Sequence, residues 1–132
     1  MRRMILSILL ITGSIFALEW EKNMDVAIMK AKNENKNIMV LVEGENCRWC
    51  QKMKDRTLSD DAVEKRLEKF VLVKVMREDM SVMEKLPPVS GVPTVFFMEE
   101  NKTVIEDIIG YFNVQDFLSY INDVEKKVKQ TK

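Results

Sequence analysis

The amino-acid sequence predicts one α/β domain in which a central mixed β-sheet carries helices on both faces. The length of 132 residues is that of one domain and is too short for two well-built ones. Along the chain, segments with apolar residues at helical spacing alternate with the short apolar runs that are typical of strands. Glycine and proline are scarce, at 4 and 3 residues, which argues against disordered and low-complexity architectures.

Helices are predicted where apolar residues recur at intervals of three and four positions. The first has Met24, Ala27 and Ala31 on one face, and the last has Phe117 on its apolar face. Ser59 is expected to cap the helix that follows it, because its hydroxyl can accept a hydrogen bond from a free backbone N–H. The predicted helices are 24–31, 47–56, a segment that begins after Ser59, 79–86 and 114–128.

Strands are predicted where short apolar runs lie between polar turns. Residues 38–42 are apolar without interruption, which is the pattern of a strand buried on both faces of a sheet. The other predicted strands are 70–76, 94–98 and 103–109, and the polar link at 99–102 has the length of a hairpin turn. Phe96 and Phe97 are expected to occupy opposite faces of their strand.

Residues 1–17 differ in character from the rest of the chain. Two arginines precede an apolar stretch at residues 4–16, and Ala17 provides a small residue that suits signal cleavage. The stretch is shorter than the ~20 apolar residues that a membrane-spanning helix needs. We therefore expect residues 1–17 to be a secretory signal peptide and residues 18–132 to be the exported, periplasmic domain. An uncleaved anchor and a first core element are the alternatives.

The composition excludes several classes of function. Basic and acidic residues are equal in number, at 21 each, so bulk attraction to nucleic acid or to an anionic membrane is not expected. Histidine is absent, which removes Ser-His-Asp and Cys-His catalysis and zinc sites that need imidazole. Phosphate-binding glycine loops are also absent. The functions that the composition leaves open are cysteine chemistry, carboxylate chemistry and binding.

The chain has two cysteines, which stand three positions apart where a predicted strand gives way to a helix. This spacing puts the sulfurs of Cys47 and Cys50 within disulfide reach. The free N–H groups of a helix start and the charge of Arg48 favour a thiolate at Cys47. We expect Cys47 to be the exposed nucleophile and Cys50 the resolving thiol of a disulfide exchange through a mixed disulfide. Trp49, between them, is expected to be exposed and to contact the partner protein.

Three other interpretations of the two cysteines stay open at this point. A zinc site would need further ligands from carboxylates or from a second chain. A purely structural disulfide across so short a loop would constrain the unfolded chain little. A Cu(I) site is the main alternative, because thiolates and thioethers suit this ion and the chain has methionines such as Met53 and Met98. The simpler interpretation of those methionines is core filling.

Several segments agree, in the same order, with those of one known family. They are the helix with Ala27 and Ala31, the strand 38–42, the cysteine pair, the helix start at 57–60, the Gly-Val-Pro-Thr loop at 91–94, and Gly110-Tyr111 before the terminal helix. On these segments, which lie between residues 20 and 128, the chain resembles the thioredoxin superfamily. More narrowly, it is similar to the periplasmic thioredoxin-like domains of thiol:disulfide interchange proteins.

The resemblance implies the thioredoxin fold and adds two residues to the expected site. By that resemblance, Pro93 follows a cis peptide bond and packs beside the cysteine sulfurs. Val92, by the same resemblance, offers backbone hydrogen bonds to a bound polypeptide. Together with Arg48 and Trp49, these residues form the expected substrate-binding set.

The chain departs from the family pattern at three positions. Leu41 stands where a buried aspartate is common, Asn46 replaces an aromatic residue, and Trp49 lies where a Gly-Pro pair is usual. Loss of the aspartate removes a proton acceptor for the resolving thiol. Glu43 is a candidate replacement, although a solvated surface charge is the simpler expectation for it. Lys74 is expected to point to water from one face of its strand.

The resemblance implies a monomeric thiol:disulfide oxidoreductase that needs neither cofactor nor metal, and a reductase or electron relay rather than a strong oxidant. The expected partners are protein substrates with disulfides or thiols, together with an electron-donor protein of the membrane or the periplasm. No nucleic-acid partner is expected.

Overall fold

A mixed five-stranded sheet lies at the centre of the fold, which a computed structural model describes for residues 18–131. The strands are β1 (Trp20–Glu21), β2 (Asn37–Glu43), β3 (Phe70–Met76), β4 (Thr94–Met98) and β5 (Val104–Ile109). Their order across the sheet is β1-β3-β2-β4-β5, in which the first three are parallel and each later strand is antiparallel to its neighbour. The predicted fold class is confirmed. The signal peptide predicted at 1–17 lies outside the described residues.

Between residues 18 and 131, four α-helices and one π-helix connect strands, and a fifth α-helix follows the last strand. They are α1 (Met24–Glu34), α2 (Arg48–Lys52), the π-helix Met53–Thr57, α3 (Asp61–Leu67), α4 (Met80–Met83) and α5 (Val114–Gln130). The side chains of Asn23 and Asn113 cap α1 and α5 by accepting hydrogen bonds from backbone N–H groups. None of the helices between residues 18 and 131 has both the length and the apolarity needed to cross a bilayer.

The start of α3 differs from the sequence prediction. The carboxylate of Asp60 caps this helix and accepts hydrogen bonds from the N–H groups of Ala62 at 3.0 Å and Val63 at 3.2 Å. Ser59 lies one position earlier and donates its hydroxyl hydrogen to the carbonyl oxygen of Asp55. The prediction of a Ser59 cap was therefore wrong, because the carboxylate of the next residue satisfies two free N–H groups of the helix.

The sheet separates two apolar layers, to which the three central strands, β2, β3 and β4, contribute alternate residues. In β2, Met39 and Leu41 face the layer that includes α3 and α5, whereas Val40 faces the layer that includes α1. In β4, Phe97 packs in the first of these layers and Phe96 in the second, which confirms their predicted placement. Because β2 is the middle strand and is covered on both faces, the residues at its carboxyl end have fixed positions.

Candidate functional site

A short turn leads from the carboxyl end of β2 to the two cysteines. Asn46 has a φ of 51°, in the left-handed region that asparagine tolerates better than most residues. An aromatic side chain here would strain the backbone, which gives a physical reason for the absence of an aromatic residue. A Cβ on Gly44 would lie 3.0 Å from Cγ2 of Val92. The turn is therefore packed closely against the loop that contains Val92.

Cys47 and Cys50 form a disulfide, with a Cα–Cα distance of 5.2 Å. Cys47 immediately precedes α2, and its sulfur accepts a hydrogen bond from the backbone N–H of Cys50 at 3.1 Å. Cys47 is partly exposed, whereas Cys50 is only 2% exposed. An incoming protein can therefore reach the sulfur of Cys47 more readily than that of Cys50.

A buried carboxylate lies at the same end of the sheet. Glu43 is the last residue of β2 and continues the row of Met39 and Leu41, which places it on the face covered by the helices after Cys47. It is 8% exposed, so the expectation of a solvated charge was wrong. Oε1 of Glu43 lies 2.6 Å from Nζ of Lys54 in the π-helix. This ion pair compensates for the burial of the carboxylate.

Glu43 and both cysteines line one cavity of about 440 Å³. The rest of its wall is formed by Gly44, Asn46, Arg48, Gln51 and Lys54. Arg48 is exposed, whereas Glu43 and Cys50 are buried. A carboxylate in this position can accept a proton from a thiol of the reduced cysteine pair, directly or through a water molecule.

Trp49 and Tyr111 form an aromatic pair next to the disulfide, with ring centroids 5.8 Å apart. The ammonium group of Lys52 lies 4.6 Å from the centroid of each ring, which is the geometry of a cation–π interaction. Trp49 is nevertheless 52% exposed, which confirms its predicted exposure. No site role was predicted for Lys52 or Tyr111, because Tyr111 comes from the loop after β5 and no local sequence pattern indicates its contact with Trp49 and Lys52.

The peptide bond between Val92 and Pro93 is cis. Pro93 is buried, and its carbonyl accepts a hydrogen bond from the N–H of Gly110 at 2.8 Å. Since Tyr111 follows Gly110 and packs on Trp49, this bond connects the proline loop to the aromatic pair. The structure thus brings both cysteines, Trp49 and the Val92–Pro93 loop to one end of the sheet.

Other residues considered from the sequence do not line the cavity beside the disulfide. Leu41 is fully buried in an apolar layer of the core. Lys74 is partly exposed, and its ammonium lies 4.5 Å from the centroid of the Trp20 ring. Met53 and Met98 are buried in opposite layers, as core-filling residues are. The part of the chain from 18 to 131 contains no cluster of three or more cysteine and carboxylate side chains that could hold a metal ion.

Comparison with known proteins gives a family match along most of the described chain. Residues 24–125 match the family model of the thioredoxin-like domain. Anterior gradient protein 3 of Xenopus tropicalis is 29% identical over 97 residues, which make up 73% of this chain and 58% of that protein. The chain therefore spans little more than half the length of this relative.

Solved structures with the same fold include two bacterial proteins. A thioredoxin from Thermus thermophilus superposes with a TM-score of 0.68 at 24% identity, over 81% of this chain and 88% of that one. The oxidised C-terminal domain of DsbD from Neisseria meningitidis superposes with a TM-score of 0.61 at 18% identity, over 74% of this chain and 89% of that one. At these identities the superpositions establish the shared fold.

Proposed function

Because the chain belongs to the thioredoxin-like domain family, we propose that it is a thiol:disulfide oxidoreductase that reduces or exchanges disulfides in partner proteins. The observation that carries the proposal is the disulfide between a partly exposed Cys47 and a buried Cys50 at the start of a helix. One sulfur is accessible to a partner, and the other is held beside it to complete the exchange.

The proposed reaction has two steps, written here in the reductive direction. The thiolate of Cys47 attacks one sulfur of a substrate disulfide, a mixed disulfide forms, and the other substrate sulfur leaves as a thiolate. The thiol of Cys50 then loses its proton and attacks the sulfur of Cys47. The Cys47–Cys50 disulfide forms, the second substrate thiolate leaves, and two electrons have passed to the substrate.

Local interactions support Cys47 as the attacking group. The N–H of Cys50 lies 3.1 Å from the sulfur of Cys47 and would stabilise a negative charge there. Arg48 adds a positive charge beside it. In the proposed complex, Arg48, Trp49, Val92 and Pro93 contact the substrate polypeptide around the reacting disulfide.

Export and partners are part of the proposal. A signal peptide at residues 1–17 would deliver the domain at 18–132 to the periplasm, an oxidising compartment in which protein disulfides persist. Each reduction leaves the cysteine pair oxidised, so an electron-donor protein of the membrane or the periplasm has to reduce it again. We propose that the protein acts as a monomer and without a cofactor.

The reduction of insulin disulfides by dithiothreitol tests this function. We expect the protein, at catalytic amounts, to speed the reaction well above the rate with dithiothreitol alone. The variant Cys47→Ser should be inactive, while Ser119→Ala, at an exposed position of α5, should match the unchanged protein. A Cu(I) titration of the same proteins addresses the copper alternative. Failure to speed the reaction, together with Cu(I) binding at one ion per chain that Cys47→Ser abolishes, would replace the oxidoreductase by a copper-binding function.

Glu43 is proposed as the group that receives the proton of Cys50. Cys50 is buried in the disulfide-bonded structure, and its thiol in the reduced protein becomes a nucleophile only after it loses its proton. Glu43 is the carboxylate that lines the same cavity, and Lys54 holds it by the ion pair. We expect Glu43→Gln to lengthen the lifetime of the mixed disulfide by at least about tenfold, with little change in the first attack by Cys47.

Rapid mixing with a disulfide peptide, followed by acid quenching and mass spectrometry, resolves the two steps. Glu43→Asp keeps a carboxylate and should restore part of the rate of the second step. Equal lifetimes of the mixed disulfide in Glu43→Gln and in the unchanged protein would show that Cys50 loses its proton by another route.

A further inference from the structure

A groove of about 460 Å³ lies along α2 and the π-helix, and its lining includes Arg48 and Trp49, the two residues between the cysteines. It is lined by Arg48, Trp49, Gln51, Lys52, Asp55 and Arg56. Three of these side chains are cations and one is a carboxylate. The carboxylate of Asp55 already accepts a hydrogen bond from Nε2 of Gln51 at 2.8 Å. The groove therefore presents an excess of positive charge.

This excess is local and is not a consequence of composition, since the chain has 21 basic and 21 acidic residues. Arg48 and Arg56 are exposed, and neither forms an ion pair with any residue between 18 and 131. By contrast, Lys54 on the same helical segment is paired with Glu43. The guanidinium groups of Arg48 and Arg56 are thus free to bind carboxylates of another molecule.

The aromatic pair gives the groove a fixed apolar border. The ammonium of Lys52 contacts both Trp49 and Tyr111, which restricts the rotation of the indole. The indole remains about half exposed in this position. A surface that is already ordered loses little conformational entropy when a partner binds.

We propose that this groove binds an acidic segment of the partner protein, in which aspartate or glutamate side chains flank the reacting cysteine and an apolar residue rests on Trp49. The proposal rests on the oxidoreductase function, because the groove adjoins Cys47. Charge complementarity identifies the occupant, since free cations beside the reacting sulfur accelerate encounters with anionic segments and oppose cationic ones.

Two disulfide peptides of equal length test the inference, one with glutamates and one with lysines next to the cysteine. We expect the reduced protein to react with the acidic peptide at least about tenfold faster at low ionic strength. The difference in rate between the two peptides should shrink in about 0.5 M salt, because salt at this concentration screens the interaction between exposed charges even at short separations. Arg56→Glu should reduce the preference severalfold, whereas Lys126→Glu, an equal change of charge at an exposed position of α5, should preserve it.

Hydroxyethyl disulfide, which is small and uncharged, separates this inference from the proposed function. We expect Arg56→Glu and the unchanged protein to reduce this compound at equal rates. Equal rates support the inference if the unchanged protein also reacts faster with the acidic peptide than with the basic one. If the compound is reduced but both peptides react equally, or if the two charge variants behave alike, the acidic-partner inference is overturned and the oxidoreductase function stands. If the reduced protein fails to react with the compound and with both peptides, the function itself is overturned and the inference with it.

Discussion

Replacement of Cys50 by serine is expected to turn the protein into one that holds its substrates covalently. Cys47 can still attack a substrate disulfide, but no second thiol is present to release the product. The mixed disulfide should therefore accumulate to a large fraction of the protein, while catalytic turnover falls to the background rate. Non-reducing electrophoresis and mass spectrometry of the adduct measure both effects.

Cys47→Ser is the matched control for this prediction. Its remaining thiol is that of Cys50, a residue that is only 2% exposed in the disulfide-bonded structure, so a partner disulfide should reach it poorly. We expect few or no adducts. Adducts that form as readily in Cys47→Ser as in Cys50→Ser would contradict the assigned order of attack, because they would show that the buried sulfur is equally accessible.

Phe97→Ala is expected to lower the free energy of unfolding by about 3–5 kcal/mol. Phe97 has no exposed surface and lies in the middle of one apolar layer. Its ring centroid is 5.3 Å from that of Phe70 on β3 and 6.3 Å from that of Phe117 on α5. Truncation removes the contacts that join β4 to both elements and leaves a cavity that the surrounding side chains fill only in part.

Urea unfolding of the oxidised protein measures this loss as a shift of the midpoint. Phe112→Ala is the matched control, because Phe112 is only partly buried and packs edge-on against Tyr120 at 4.9 Å. We expect it to cost less than Phe97→Ala. A loss of unfolding free energy below about 1 kcal/mol for Phe97→Ala would contradict this prediction. It would show that the contacts of Phe97 with β3 and α5 contribute little to stability.

The sequence predicted the long buried strands well because their signal is local. The predicted limits of the strands at 70–76 and 94–98 agree with β3 and β4, since each is an apolar run bounded by polar residues. β1 was missed because it contains two residues, and its position depends on pairing with β3 far along the chain. Two residues are too few to show the alternating pattern of a strand, so this strand is recognised only from its pairing in the tertiary structure.

In the site, too, features that depend on neighbouring residues were predicted, whereas contacts between distant elements were not. The spacing of Cys47 and Cys50 predicted that their sulfurs lie within disulfide reach, and the structure has the disulfide. The burial of Glu43 was missed because a glutamate after an apolar strand is usually solvated, and its partner Lys54 lies on another element. Likewise, Tyr111 reaches Trp49 only because β5 and its following loop return to the cysteine end of the sheet.

The proposed redox activity of Cys47 and Cys50 is measured by the equilibrium of this pair with glutathione. The protein is incubated at graded ratios of reduced to oxidised glutathione, free thiols are alkylated, and the reduced fraction is measured by mass spectrometry. We predict one two-electron transition in which both cysteines change together, with a midpoint nearer the thioredoxin value of about −270 mV than the value of about −120 mV for a strong oxidant. A disulfide that stays closed at every ratio would overturn the proposed redox activity and leave a structural bridge.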